Sequence, residues 1–366
     1  MWSILPAGIP AGSGATAMQT FRAGEGHVHR LSYSPDGRYL VVGHRAVSEL
    51  VWWDWAKGEP VRRFRSRDSL YGPGGAQRGQ EDWSPEGRPI DVAFCFAPFR
   101  VATAWDWTGK EDGVCVYDAD AQETLMLKTP YKTHTMRLAL AADGSRLAAA
   151  TYADMTGEPS VEVWDVAATS SDPRAWERSQ GSRKREIEMD SVSLTVDPVA
   201  LAFDGRYLVT AGEGFLDRGP VVAVWDRHSP PVIAEPAEPD ASLDWVPRHA
   251  ATELTPGFDV RALALGNGKL AAAGGGLAVW DFAKAEWANA GGPLDIAAVA
   301  FDARGERVLV GRASGELQVW DAEGRGVVSS IAPGIGPIAS VAFAPDGLTC
   351  AAGSDDGRIV VWDTEG

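Results

Sequence analysis

Short apolar runs recur along the whole chain, and each closes on an aromatic–aspartate pair. Val221-Val222-Ala223-Val224-Trp225-Asp226 and Ile359-Val360-Val361-Trp362-Asp363 are two of them. The last unit shows what lies around such a run. Residues 338–344 alternate and then reach Pro345-Asp346-Gly347, a tripeptide suited to a tight hairpin turn. Residues 348–352 predict the next strand, Ser354-Asp355-Asp356-Gly357 a second turn, and residues 358–362 a third strand. The same order opens six earlier units, at residues 31–40, 92–102, 138–150, 200–210, 261–273 and 299–311, with turns at Asp36-Gly37, Pro98, Asp143-Gly144, Asp204-Gly205, Asn267-Gly268 and Arg304-Gly305. Small and β-branched residues dominate these runs, as pleated sheets covered on both faces require. A fourth strand is expected after each pair, as at residues 60–64 and 123–127.

The repeated pairs are Trp53-Asp54, Tyr117-Asp118, Trp164-Asp165, Trp225-Asp226, Trp280-Asp281, Trp320-Asp321 and Trp362-Asp363. Self-similarity at a few tens of residues marks a repeat architecture. Together with Gly353-Ser354-Asp355-Asp356-Gly357-Arg358 before the last pair, these residues resemble the WD-repeat (WD40) family. The resemblance covers residues 18–366 and implies an all-β fold, a seven-bladed β-propeller of four-stranded antiparallel blades. The expected blades are residues 27–64, 90–127, 134–180, 197–236, 258–289, 294–331 and 336–363, preceded by an extension at 1–17. The last blade lacks a fourth strand of its own. Met18-Gln19-Thr20-Phe21-Arg22 has strand character and is expected to fill that place, so that the N-terminal strand closes the ring. The family's internal network of His, Ser or Thr, Asp and Trp is mostly missing, with His134, Thr151, Asp154 and Trp164 as one candidate set. The repeated tryptophans are read as packing rings.

Charge narrows the function. The chain has 34 Lys and Arg against 50 Asp and Glu, a formal net charge of −16, which opposes binding to nucleic acid. The three cysteines, Cys95, Cys115 and Cys350, lie in apolar runs and form no CxxC pair, so they read as small buried hydrophobes. Pro6, Gly8 and Pro10 interrupt the apolar start, which has no basic flank. The expectation is a cytoplasmic monomer with no signal peptide and no membrane span. The Ala, Gly and Arg bias points to a high-GC bacterial source.

In an up-and-down blade, the turn between second and third strands shares one face, the top, with the links between blades. Extra sequence is expected there in blades one to four. Residues 66–88, 180–196 and 237–257 read as links between blades, and residues 105–112, 154–160 and 212–219 as enlarged turns. They carry aromatic and arginine side chains, the usual anchors of protein interfaces. The candidate partner-binding residues are Tyr71, Arg78, Trp83 and Arg88, then Trp105, Asp106 and Trp107, then Phe215 and Arg218, and Trp245 and Arg248. Two basic clusters, Arg62/Arg63/Arg65/Arg67 and Arg178/Arg183/Lys184/Arg185, read as solvated charge or as a landing site for an acidic segment. The acidic, proline-rich stretch at 229–240 reads as an irregular outer strand of blade four passing into a linker.

Catalytic signatures are missing. No G-x-S-x-G elbow, Walker A loop, GxGxxG fingerprint or HExxH helix occurs. His27 and His29 have the spacing to share a strand face, but no acid or cysteine beside them completes a metal set. The sequence therefore predicts no cofactor and no metal. It predicts a non-enzymatic scaffold that binds a protein or peptide partner through its top-face loops. A second reading is a propeller enzyme or small-molecule sensor, with Asp106, Glu111, Asp112, Asp154, Glu158, Glu213 and Asp217 converging at the channel mouth.

Overall fold

A computed structural model describes residues 18–24, 27–44, 49–65, 89–96, 99–105, 113–118, 123–128, 133–153, 159–166, 189–193, 196–214, 220–226, 252–291 and 294–364. The described strands form seven antiparallel sheets of four. The inner strands are Val28–Tyr33, Pro89–Phe96, Thr133–Leu140, Val196–Phe203, Val260–Gly266, Ile296–Phe301 and Ile338–Phe343. Each packs on the inner strand of the next sheet, and the last packs on the first. Apolar residues from neighbouring sheets merge into a separate cluster at every junction. Both faces of each sheet are therefore buried, which explains why the strands read as near-continuous apolar runs rather than alternating ones. The architecture is a β-propeller.

The final sheet is completed as the sequence predicts. Met18–Arg22 pairs antiparallel with Arg358–Asp363, from Met18 opposite Trp362 to Arg22 opposite Arg358. Phe21 packs against the cluster shared by the last and first blades, with its ring 5.1 Å from that of Trp53. The predicted hairpin glycines take positive φ, at Gly37, Gly144, Gly205, Gly268, Gly305 and Gly347. At Asn267-Gly268 both residues do, at 46° and 73°, the conformation a two-residue hairpin between right-twisted strands demands.

The register slips once near the start of every inner strand, at His29, Ile90, Met136, Val199, Arg261, Ala297 and Ala339. These bulges form a ring at the top rim, where they re-aim side chains. The residue after each bulge faces a Gly or Ala on the second strand: Gly43, Ala104, Ala150, Ala211, Ala273, Gly311 and Gly353. Small residues are needed there because the next blade presses in. A Cβ added at Gly353 meets Val28 Cγ1 at 2.3 Å, and one added at Gly311 meets Ile338 Cγ2 at 2.4 Å. Gly353→Ala is expected to lower unfolding free energy by about 3 kcal/mol through overpacking, measured by urea denaturation.

Two blade boundaries differ from the sequence reading. The fourth strand of blade three is Met189–Ser193, paired with Pro159–Asp165. That of blade four is Thr252–Leu254, paired with Pro220–Asp226. In sequence, the third and fourth strands of these blades are therefore far apart, from Asp165 to Met189 and from Asp226 to Thr252. The proline-rich stretch at 229–240 lies outside the described residues. Outer strands are hard to read here because so little of them is buried; of Thr252–Leu254 only Leu254 is.

Candidate functional site

The inner strands of the first three blades carry polar residues beside their bulges, and the fold brings these together at the top rim. Asp91, on the inner strand of blade two, is completely buried. Its Oδ1 accepts from His29 Nε2 of blade one at 2.5 Å and from the Val92 amide at 2.8 Å. Its Oδ2 accepts from the Leu138 amide of blade three at 2.8 Å. Arg30 Nη2 lies 3.5 Å from Oδ2 and donates to the Leu138 carbonyl at 2.8 Å. Burial alone raises the pKa of this carboxyl. The Arg30 charge and the His29 hydrogen bond outweigh burial and hold the pKa well below the usual carboxylate range. Asp91 is therefore an ionised, acceptor-only hub joining three blades.

The stitching continues on both sides. His27 Nδ1 lies 2.7 Å from Asp355 Oδ1 in the second turn of blade seven, and its ring is 5.8 Å from that of His29. Ser340 of blade seven accepts from the Leu31 amide at 3.0 Å, and Arg137 Nε donates to the Val199 carbonyl at 2.9 Å. From blade seven to blade four, side chains thus bridge backbone groups of neighbouring inner strands. His27 and His29 each have a carboxylate from another blade, which their own stretch of sequence does not supply. The Asp91 hydrogen bond fixes a proton on His29 Nε2. Among the described residues, the His29 ring hydrogen-bonds Asp91, and this bond orients the ring. Among the described residues, no group of three or more His, Cys, Asp or Glu is placed to hold a metal ion.

Of the partner-binding residues predicted from sequence, only Trp105 falls in a described element. It ends Phe99–Trp105, directly opposite Pro89. Tyr71, Arg78, Trp83, Arg88, Asp106, Trp107, Phe215, Arg218, Trp245 and Arg248 lie outside the described residues. So do the funnel acids, except Glu213 on Tyr207–Gly214. Among the described strands, Phe99–Trp105 and Pro89–Phe96 meet at one end of blade two, where Pro89 pairs with Trp105.

The sequence model described as WD domain, G-beta repeat matches residues 16–48 and 330–363. Those segments span Met18–Arg22 and the first two strands of blade one, and the last three strands of the chain, on the two sides of the ring closure. The two matched segments are WD repeats. No curated protein matches the chain.

The blades depart from the internal hydrogen-bond network that the WD-repeat resemblance implies. The indole N–H groups of Trp53 and Trp362 have no hydrogen-bond partner among the described residues. In blade three, Thr151 Oγ1 lies 2.9 Å from Ser160 Oγ, which donates to Glu162 at 3.1 Å; the His134–Thr151–Asp154–Trp164 set was expected, and Asp154 lies outside the described residues. Blade six builds a different chain. Trp320 Nε1 donates to Gln318, Gln318 to Glu316, and Glu316 also accepts from Ser330 and Arg312, which in turn binds Asp295. Hydrogen bonds from Ser330 and Gln318 hold Glu316 below the ordinary glutamate range. These blades are held mainly by apolar packing.

Proposed function

We propose that this propeller is a non-enzymatic scaffold that captures a protein or peptide segment at its top rim, over blades one, two and four. WD-repeat propellers generally serve as protein-interaction scaffolds. One observation carries the more specific reading. Pro89 and Trp105 are paired, so the connection ending at Arg88 and the turn beginning at Asp106 leave the same rung of the ladder, two residues from Asp91. A connection rich in aromatic and arginine residues and a turn carrying Trp107 thus spring from the part of the rim that buried charge holds most firmly. Tyr71, Arg78, Trp83, Arg88, Trp105, Asp106 and Trp107 are the anchors of this surface, with Phe215 and Arg218 contributed from blade four. A rigid frame beneath them reduces the ordering cost of binding.

The test is affinity capture from the native cell with Trp83→Ala, Trp107→Ala and Trp245→Ala. The first two are expected to reduce a retained partner by roughly tenfold or more, the scale of an anchor residue. Trp245→Ala is expected to bind as wild type, because in sequence it falls between Asp226 and Thr252, on the third and fourth strands of blade four. Loss of the partner on Trp245→Ala alone overturns the rim assignment.

A further inference from the structure

The polar stitching of the rim runs only part of the way round the ring. Ladder hydrogen bonds alternate along an antiparallel strand, so every second residue of an inner strand turns its amide away from the second strand and into the channel. The Leu31 amide, which donates to Ser340 of blade seven, and the Leu138 amide, which donates to Asp91 of blade two, are of this kind. Each lies three residues before the last bond of its ladder, Ser34 to Tyr39 and Ala141 to Arg146. Val299 of blade six and Val341 of blade seven stand at the same step, three residues before Asp302 to Arg307 and Ala344 to Thr349. Their amides therefore face the channel too, and no side chain among the described residues accepts from them. The reason is local. The residue that follows the bulge is Asp91 in blade two but Ala298 in blade six. Arg261, the bulge residue of blade five, lies beside this arc. It is exposed although blades four and six cover its strand on both sides, so it faces the channel mouth. It makes no hydrogen bond or ion pair among the described residues. Other acids of this part of the rim are taken: Asp295 and Glu316 by Arg312, Asp355 by His27 and Asp356 by Arg358. Asp259, two residues before Arg261, makes no ion pair with it.

We infer that the channel mouth over blades five to seven binds a carboxylate carried by a ligand, with the Arg261 guanidinium and the Val299 and Val341 amides as its donors. The repeat itself supplies the precedent. Over blades one to three, the Asp91 carboxylate is held by Arg30 of the blade before it, by the Val92 amide of its own strand and by the Leu138 amide of the blade after it. Blades five, six and seven present the same kinds of donor in the same order, Arg261, Val299 and Val341, with Ala298 where Asp91 stands. Arg30 also shows the reach required: from the inner strand of blade one it donates to the Leu138 carbonyl of blade three. A guanidinium and backbone amides aimed at one place select an anion with acceptor oxygens. An exposed ion pair is weak alone, so the carboxylate belongs to a larger ligand. An acidic stretch of the partner segment proposed above supplies it, and to that extent the inference rests on that reading.

The test is binding of a fluorescein-labelled hexaglutamate peptide to the full chain at low ionic strength, followed by anisotropy, with hexaglutamine as the neutral control. The wild type is expected to bind hexaglutamate and not hexaglutamine. Arg261→Gln is expected to weaken hexaglutamate about fivefold, the upper end for one exposed ion pair, with an unchanged melting temperature because the side chain has no described partner to lose. Arg206→Gln makes the same change of charge beside the hairpin at the opposite end of blade four and is expected to bind as wild type. In amide spectra, the Val299 and Val341 resonances should move as hexaglutamate is added to the wild type and stay in place in Arg261→Gln. A wild type that does not prefer hexaglutamate overturns the inference. So does an Arg261→Gln that binds as wild type, or an Arg206→Gln that loses as much, since net charge would then explain the binding. The Trp83→Ala and Trp107→Ala captures decide the rim reading separately: a partner retained by both removes that reading and leaves the carboxylate site to the peptide titration.

Discussion

Removing residues 1–22 is expected to abolish the single cooperative unfolding transition of the chain. The lost strand supplies the whole outer rung of the closing blade, five paired positions from Met18 to Arg22. It also removes Phe21 from the cluster joining the last and first blades. The third strand of that blade, Arg358–Asp363, then becomes an edge, with the valines Val360 and Val361 beside unpaired backbone. Net stability of a domain is only about 5–15 kcal/mol. Loss of several ladder hydrogen bonds at roughly 1 kcal/mol each, with burial of a large aromatic ring at about 2 kcal/mol or more, consumes much of that margin. The expected readout is a broad or biphasic calorimetric transition, with the first loss at the junction of blades seven and one and exposed-strand aggregation above it. A truncated chain that melts in one sharp transition at the wild-type temperature is incompatible with closure by this strand.

Much of the fold was legible because it rests on local chemistry. Turn residues such as Asn267-Gly268 and the runs ending in Trp–Asp specify strand and hairpin directly, and the N-terminal strand could be placed because the last unit stopped one strand short. The outer strands of blades three and four were not legible. They are short, follow long inserts, and bury too few side chains to leave a pattern, so the proline-rich stretch at 229–240 stood in for one of them. The rim was hidden for another reason. Asp91 sits in an apolar strand, and its partners His29 and Leu138 lie 62 and 47 residues away in sequence. Only the radial arrangement of blades brings them together. A lone aspartate beside Val92 and Ala93 in a strand otherwise free of charge was the one available signal, since a buried charge requires partners from elsewhere.

Asp91→Ala is expected to cost about 3–5 kcal/mol, the range for breaking a buried ion pair from one side. The substitution deprives the His29 ring and the Leu138 amide of their acceptor and leaves Arg30 without its closest acid. Three blades share the loss, so the effect exceeds that of removing a surface pair such as Arg206–Asp226. Asp91→Asn keeps the volume and one acceptor oxygen and is expected to fall between wild type and Asp91→Ala. The pH dependence separates charge from shape. Because the folded state depresses the Asp91 pKa, its charge contributes stability above the unfolded carboxyl value, about 4, and that contribution is lost as pH falls below it toward the folded value. The difference in unfolding free energy between wild type and Asp91→Asn should therefore be full at neutral pH and shrink on acidification to about pH 3, as measured by urea denaturation at both. A difference that does not change with pH would mean that hydrogen-bond geometry, and not charge, makes Asp91 the hub of the rim.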